Sequence, residues 1–380
     1  MRPGLAAVAL ALAAAGAGAV PIVPRDDAEV VETLPAVAGD RAEERRLRRA
    51  LAERPGDPGL AAAAARRWLD RARADGDPRW AGRALAALAP WPDPQTAPDE
   101  VLLLQATLDQ HLHDFDAAVA KLERLVARRP RDAQAWLTLA TLRRVQGRFD
   151  DSDRACARLA ASGAAWHAAA CRAENDGLRG RFDVARAEFE RLLATASLEP
   201  SMRHWLWVSR AELEQRAGDA RAAERAWQAA LREERSAYAL IGLADQWIAE
   251  GRPADALALL ANEPRNDAVL LRRAIAGVAA RAAGAAQDVR EMRERIAQAA
   301  ERVGAPAFHA REQAMFALRV DGQAAQAWHL ARENARRQRE APDLLLLAQA
   351  ARAVGGTALP EAAGVLTEVG LVDRRREVLR

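Results

Sequence analysis

Ala133-Gln134-Ala135-Trp136-Leu137-Thr138-Leu139-Ala140, followed a few residues on by Gln146-Gly147-Arg148-Phe149-Asp150, decides how this chain is read. A helix-length apolar pattern runs into a glycine, and a second such pattern starts at Phe149. Thirty-four residues earlier stands Asp99-Glu100-Val101-Leu102, followed by His113-Asp114-Phe115-Asp116-Ala117-Ala118. Phe115 to Phe149 is a step of 34, and Phe149 to Phe182 a step of 33. Gly147, Gly180, Gly218 and Gly251 recur at steps of 33, 38 and 33. The pattern predicts a helix–turn–helix unit of about 34 residues, with glycine at the left-handed end of its first helix.

These residues resemble the tetratricopeptide repeat (TPR) family. Trp136, Leu139 and Ala140 match the opening of its repeat, and Pro130 matches the proline that closes the unit before. Ala118, Leu122 and Leu125 take the small and large apolar places of a second helix. Ser152, Cys156 and Leu159 follow one repeat later, then Ala185, Phe189 and Leu192, then Ala223, Trp227 and Ala230. Leu240, Leu243, Ala244 and Trp247 form the next first helix, with Ala256 and Leu260 behind it. The resemblance implies an all-α fold, a right-handed α-solenoid of eight to ten stacked antiparallel helix pairs. One pair cannot bury its own apolar face, so stacking supplies the core.

The match is clear over 99–264 and diverges on both sides, in N-terminal helix pairs at 41–98 and C-terminal TPR-like repeats with a cap at 265–380. Arg143 and Glu214 stand where the family favours tyrosine, and Arg172 and Arg210 where it favours leucine. Pro58–Ala74 and Pro78–Leu88 read as one pair. Asp267–Ala283 with Asp288–Val303, Phe308–Val320 with Ala324–Gln338, and Asp343–Val354 with Glu361–Val369 read as three more. The arginine-rich end, Asp373–Arg380, reads as a polar cap or frayed tail. No stretch alternates as a strand would.

Composition agrees with this reading. Half of the 380 residues are apolar, and alanine dominates over the β-branched and aromatic types that strands need. Lys121 is the only lysine among 56 basic residues, which stand against 53 acidic ones. Acids and bases interleave, as in Arg41-Ala42-Glu43-Glu44-Arg45-Arg46, so they predict ion-paired solvated helix faces and no nucleic-acid partner.

The start of the chain has the order of a secretory signal: Met1-Arg2, an apolar run from Leu5 to Ala15, then small residues to Ala19. Residues 1–19 are expected to be a signal peptide and 20–40 an extended linker. A periplasmic or secreted location follows, with no stable membrane span after cleavage.

No nucleophile-elbow, zinc-protease, phosphate-loop or calcium-loop motif is present, so no catalytic residue, metal ligand or cofactor is assigned. His111 and His113 are two apart and do not share a helix face. Cys156 lies on the second helix of one repeat and Cys171 on the first helix of the next. They are either a disulfide or two small buried hydrophobes in separate layers. Trp136, Trp227 and Trp247 fall at packing positions.

In TPR proteins one side of the first helices faces a concave groove. The register puts Trp205, Tyr238, Glu174, Glu212 and Asp245 there, with Gln134, Thr141 and Arg144 upstream. Such a groove would take a basic or amphipathic peptide. The Lys/Asn clamp by which some TPR domains hold a terminal carboxylate is absent. The resemblance implies an exported, non-catalytic scaffold or adaptor for an unidentified protein or peptide of the cell envelope. Two alternatives stand beside it. One is a small-ligand protein or enzyme with a pocket among repeats near 267–340, and the other is a self-assembling structural unit.

Overall fold

The computed structural model describes residues 40–75, 78–195, 197–300 and 310–375. The expected signal peptide, and the linker up to residue 39, lie outside the described residues. The chain divides between Ala50 and Leu51. Helix α1 (Asp40–Glu53) crosses that division, and the second unit carries the remaining helices.

That unit is a run of helix pairs. They are α2 (Pro58–Asp75) with α3 (Pro78–Leu88), α4 (Asp99–His111) with α5 (Phe115–Arg128), and α6 (Ala133–Val145) with α7 (Phe149–Ala161). Next come α8 (Ala165–Leu178) with α9 (Phe182–Leu193), α10 (Pro200–Ala217) with α11 (Ala220–Glu233), and α12 (Ala237–Ala249) with α13 (Pro253–Leu259). The run ends with α14 (Asp267–Ala280) and α15 (Ala285–Ala300), α16 (Ala310–Arg319) and α17 (Ala324–Asn334), and α18 (Ala341–Val354) and α19 (Ala358–Val369). Successive first helices pack on one another in the pairs α4 and α6, α6 and α8, α8 and α10, and α12 and α14. The described residues hold no strand, and the chain is an all-α, TPR-like solenoid of stacked antiparallel helix pairs.

Local chemistry explains where the helices start and stop. Asp114, Asp132, Asp219, Ser236 and Asn266 each accept an amide three residues on, satisfying a donor the helix leaves open. Between first and second helices the chain turns through a left-handed residue, Gly147 (φ 74°), Gly180 (80°), Gly218 (81°) and Gly251 (75°). Two further turns reach this conformation without glycine, at His113 (φ 61°) and Arg281 (53°). The glycine row therefore undercounts the repeats. The 38-residue step from Gly180 to Gly218 reflects the long α10, 18 residues against 14 in α8.

The small places pack as the pattern requires. Ala140 and Ser152 have no exposed surface, and Leu122, Leu159, Phe189 and Leu192 fill the layers beside them. Trp227 is buried. Trp136 and Trp247 are only half-buried, and the Trp136 indole donates to the Pro130 carbonyl at 2.9 Å. At the departures from the family pattern, charge takes the place of apolar packing. Glu214 is 1% exposed and sits between two arginines: Arg186 Nη2 is 2.8 Å from one oxygen and Arg210 Nε 2.6 Å from the other. Buried Arg143 pairs with Glu123, whereas Arg172 points to solvent.

The C-terminal segment does not fray over its described part. Leu371 and Asp373 are each 3% exposed. The Val372 amide donates to the Leu178 carbonyl at 2.9 Å, and the Arg339 amide to the Val145 carbonyl at 2.7 Å. Arg374 Nη1 donates to the Ala217 carbonyl at 3.3 Å. Val145, Leu178 and Ala217 end three successive first helices, whose last carbonyls have no partner within the helix. Arg339, in the connection before α18, satisfies the first of them, and Val372 and Arg374 of the C-terminal segment satisfy the other two. Phe149, Leu178 and Ile248 accordingly belong to the same apolar cluster as α16 to α19.

Candidate interaction wall of the first helices

The residues expected to line a groove lie on first helices, and most of them hydrogen-bond to the neighbouring first helix. Glu174 on α8 is the centre of one group. Its Oε2 is 2.5 Å from Arg144 Nη2 on α6. Its Oε1 accepts from the Trp205 indole at 3.1 Å and from the Ser209 hydroxyl at 2.7 Å, both on α10. Arg144 also reaches the Thr141 hydroxyl at 3.4 Å and the Cys171 carbonyl at 3.4 Å. Trp205 sits with its ring centroid 6.0 Å from Trp166 and stacks on His167 at 6.3 Å.

A second group joins α10 to α12. The Tyr238 hydroxyl donates to Glu212 at 2.5 Å. Arg216 lies one turn further along α10, with its Nη1 4.0 Å from the other Glu212 oxygen. Burial pushes the Glu212 carboxyl above its ordinary value, and Arg216 and the tyrosine only partly offset this. The Glu212 charge in turn raises the Tyr238 hydroxyl well above the usual tyrosine value, with burial and the charge of Glu340 adding to it. Tyr238 nevertheless leaves 59% of its surface open to water.

A third contact joins α12 to α14. Arg272 donates to Asp245 through Nε at 3.0 Å and Nη2 at 2.8 Å, a forked pair. The five first helices α6, α8, α10, α12 and α14 are thus tied in series, each to the next, by side chains on one wall. Gln134 stands apart: it is exposed, and its amide donates only to Thr138 in the same helix, at 3.2 Å. Every acid assigned to the wall has a donor on it, so its free chemistry is aromatic and neutral more than acidic.

Sequence reasoning missed the other halves of these pairs. Ser209, Arg216 and Arg272 carry no motif. Ser209 and Arg272 could have been suggested only by lying about one repeat from an acid, and Arg216 only by lying one helical turn from Glu212. Cys156 and Cys171 are joined in the structure, with Cα atoms 5.9 Å apart, and both are fully buried. Asn175 lies beside them and donates to Ser152 at 3.0 Å. Among the described residues no group of three or more His, Cys, Asp or Glu is placed to hold a metal ion. No described helix is long and apolar enough to cross a membrane.

No protein-family model matches the chain, and no curated protein does. Two solved structures to which the chain is similar are of TPR proteins. A tetratricopeptide repeat protein from Parabacteroides merdae is 15% identical, with a TM-score of 0.43, over 67% of this chain and 98% of that one. The TPR domain of P58(IPK) is 14% identical, with a TM-score of 0.24, over 82% of this chain and 99% of that one. This chain is similar to them as a TPR-like solenoid.

Proposed function

We propose that the chain is a non-catalytic scaffold that holds a segment of another protein along the first-helix wall from Gln134 to Asp245, and that it does so in the cell envelope after export. One observation carries this reading. The series of contacts from Arg144 to Arg272 fixes five helices as one surface, while Tyr238 keeps more than half its area in water. A rigid wall with an exposed aromatic side chain loses little entropy when it binds, and aromatic anchors dominate interface energies. Because the wall's acids already have donors, its partner is an amphipathic segment whose apolar face meets Trp205 and Tyr238. Export rests on the signal-like order of residues 1–19.

Site-specific photo-crosslinking in the native cell tests this. A probe at Gln134 or Tyr238 should give a discrete adduct, and a probe at Arg158 on α7 or Arg191 on α9 should not. Equal adducts from both sets, or none from the first, would count against the wall. Cell fractionation tests export separately: protein found only in the cytoplasm rejects it and leaves the wall standing.

A further inference from the structure

The three left-handed glycine turns that close α6, α8 and α10 form a row, and the C-terminal segment lies along it residue by residue. A Cβ on Gly147 would come within 3.1 Å of Val369. One on Gly180 would come within 2.9 Å of Val372, so the bare backbone of this turn is what lets the valine seat. Gly218 faces Arg374, whose Cβ would be 3.6 Å away.

Each residue of the segment 371–374 finds its own complement. Leu371 is buried in the apolar cluster with Val369. The Val372 amide caps Leu178, and its side chain covers Gly180. Asp373, held by Arg375 at 2.6 Å, is one of the charges acting on buried Arg216. Arg216 is 5% exposed, and among the described residues its one ion pair is the long 4.0 Å one to Glu212. Arg374 donates to the Ala217 carbonyl and sits 5.1 Å over the Phe182 ring. A cation is favoured at this place because the C-terminal ends of helices carry partial negative charge.

The hold is specific, but it is confined to alternate residues. The segment leaves α19 through Gly370 in the left-handed conformation, and Leu371 to Asp373 are extended before a 3-10 turn begins at Arg374. Val372 keeps 39% of its surface in water, and Arg374 is exposed. We infer that this row of turns is a docking site for an extended peptide of the form apolar–Val–Asp–Arg, occupied at rest by Leu371–Arg374, and that its partner is a protein carrying such a segment, which displaces the chain's own. This site is distinct from the first-helix wall, and its fate in experiment is independent of that reading.

The test uses the full chain and a labelled heptapeptide, Val-Gly-Leu-Val-Asp-Arg-Arg, copied from residues 369–375. Binding is followed by fluorescence anisotropy on the unaltered chain and on two full-length variants that loosen the segment, Val372→Asp and Arg374→Glu. Circular dichroism and a melting curve report that each variant is folded. An occupied site lowers apparent affinity by the fraction of time it is free, so both variants should bind the peptide about tenfold or more tightly than the unaltered chain. A control peptide with lysine in the Asp373 place should bind neither. Equal affinity for all three chains, no binding to a folded variant, or equal binding of the control peptide would each overturn the inference. Should Val372→Asp not fold, Arg374→Glu alone decides, since it alters one exposed side chain.

Discussion

Asp245 and Arg272 meet through two parallel hydrogen bonds of 3.0 and 2.8 Å, and this fork ties α12 to α14. Arg272 is 5% exposed, whereas about a third of the Asp245 side chain remains in water. Removing the acid therefore leaves a buried cation with no carboxylate, while partial solvation limits the loss. Asp245→Ala should destabilise the chain by about 1–2 kcal/mol, below the 3–5 typical of a fully buried pair. Urea titration followed by circular dichroism measures it, and an unchanged midpoint would show that Arg272 finds another acid.

Gly242 on α12 faces the Trp227 ring. A Cβ there would lie 2.5 Å from the ring edge, closer than atoms can pack. Alanine would gain up to about 1 kcal/mol of helix propensity. Forcing a methyl against a 2%-exposed indole costs about 1–3 kcal/mol. The second effect wins, so Gly242→Ala should lower the melting temperature. A rise would mean that α11 moves aside at little cost.

The Cys156–Cys171 bond closes a 15-residue separation between α7 and α8. In the chain-entropy model that constraint stabilises by about 3 kcal/mol. A Cys156→Ser, Cys171→Ser double variant should lose roughly that amount. Peptide mapping without reductant should show the two cysteines linked, and free thiols alone would reject the bond.

Two buried carboxyls should give stability opposite pH slopes. Burial raises Asp343 to about 7, even though Arg311 lies 3.5 Å away and Asn334 donates to it. The native state then holds a proton that the unfolded chain releases near its ordinary value. This contribution is complete at low pH and disappears as pH rises towards about 7. Asp343→Asn should flatten the fall in melting temperature between about pH 4 and 7. Glu214 behaves in the reverse sense. Burial raises it, but hydrogen bonds and charge from Arg186 and Arg210 more than offset that and hold it low. Its stabilisation is present above the ordinary glutamate value and fades as pH drops through its lowered one. Glu214→Gln should therefore cost stability at pH 7 and progressively less as pH falls below the ordinary glutamate value.

The repeat was legible in the sequence because it rests on backbone and size. The glycines at 147, 180, 218 and 251 must turn left-handed, and Ala140 and Ser152 must be small. The turns at His113 and Arg281 were not legible, because the surrounding fold, more than residue type, holds them there. The wall was half legible. Its acids and aromatics could be placed by register, but Arg272 and Ser209 meet them only once the repeats stack. Glu214 looked like a flaw in the pattern, and two arginines from α9 and α10 make it a buried ion cluster. The docking of Leu371–Arg375 left no periodic trace, since its complement is a row of backbone turns.

The bond from Arg374 to the Ala217 carbonyl spans 157 residues. In an ordinary repeat array each unit answers only to its neighbours, and unfolding can begin at an end and advance one unit at a time. Here the turn after α10 cannot reach its final state until a stretch made much later has arrived. Synthesis and maturation are thereby separated in time: the middle of the chain waits, unfinished, for its closing residues. The slowest folding step should then be this long-range closure, not the formation of any single helix pair.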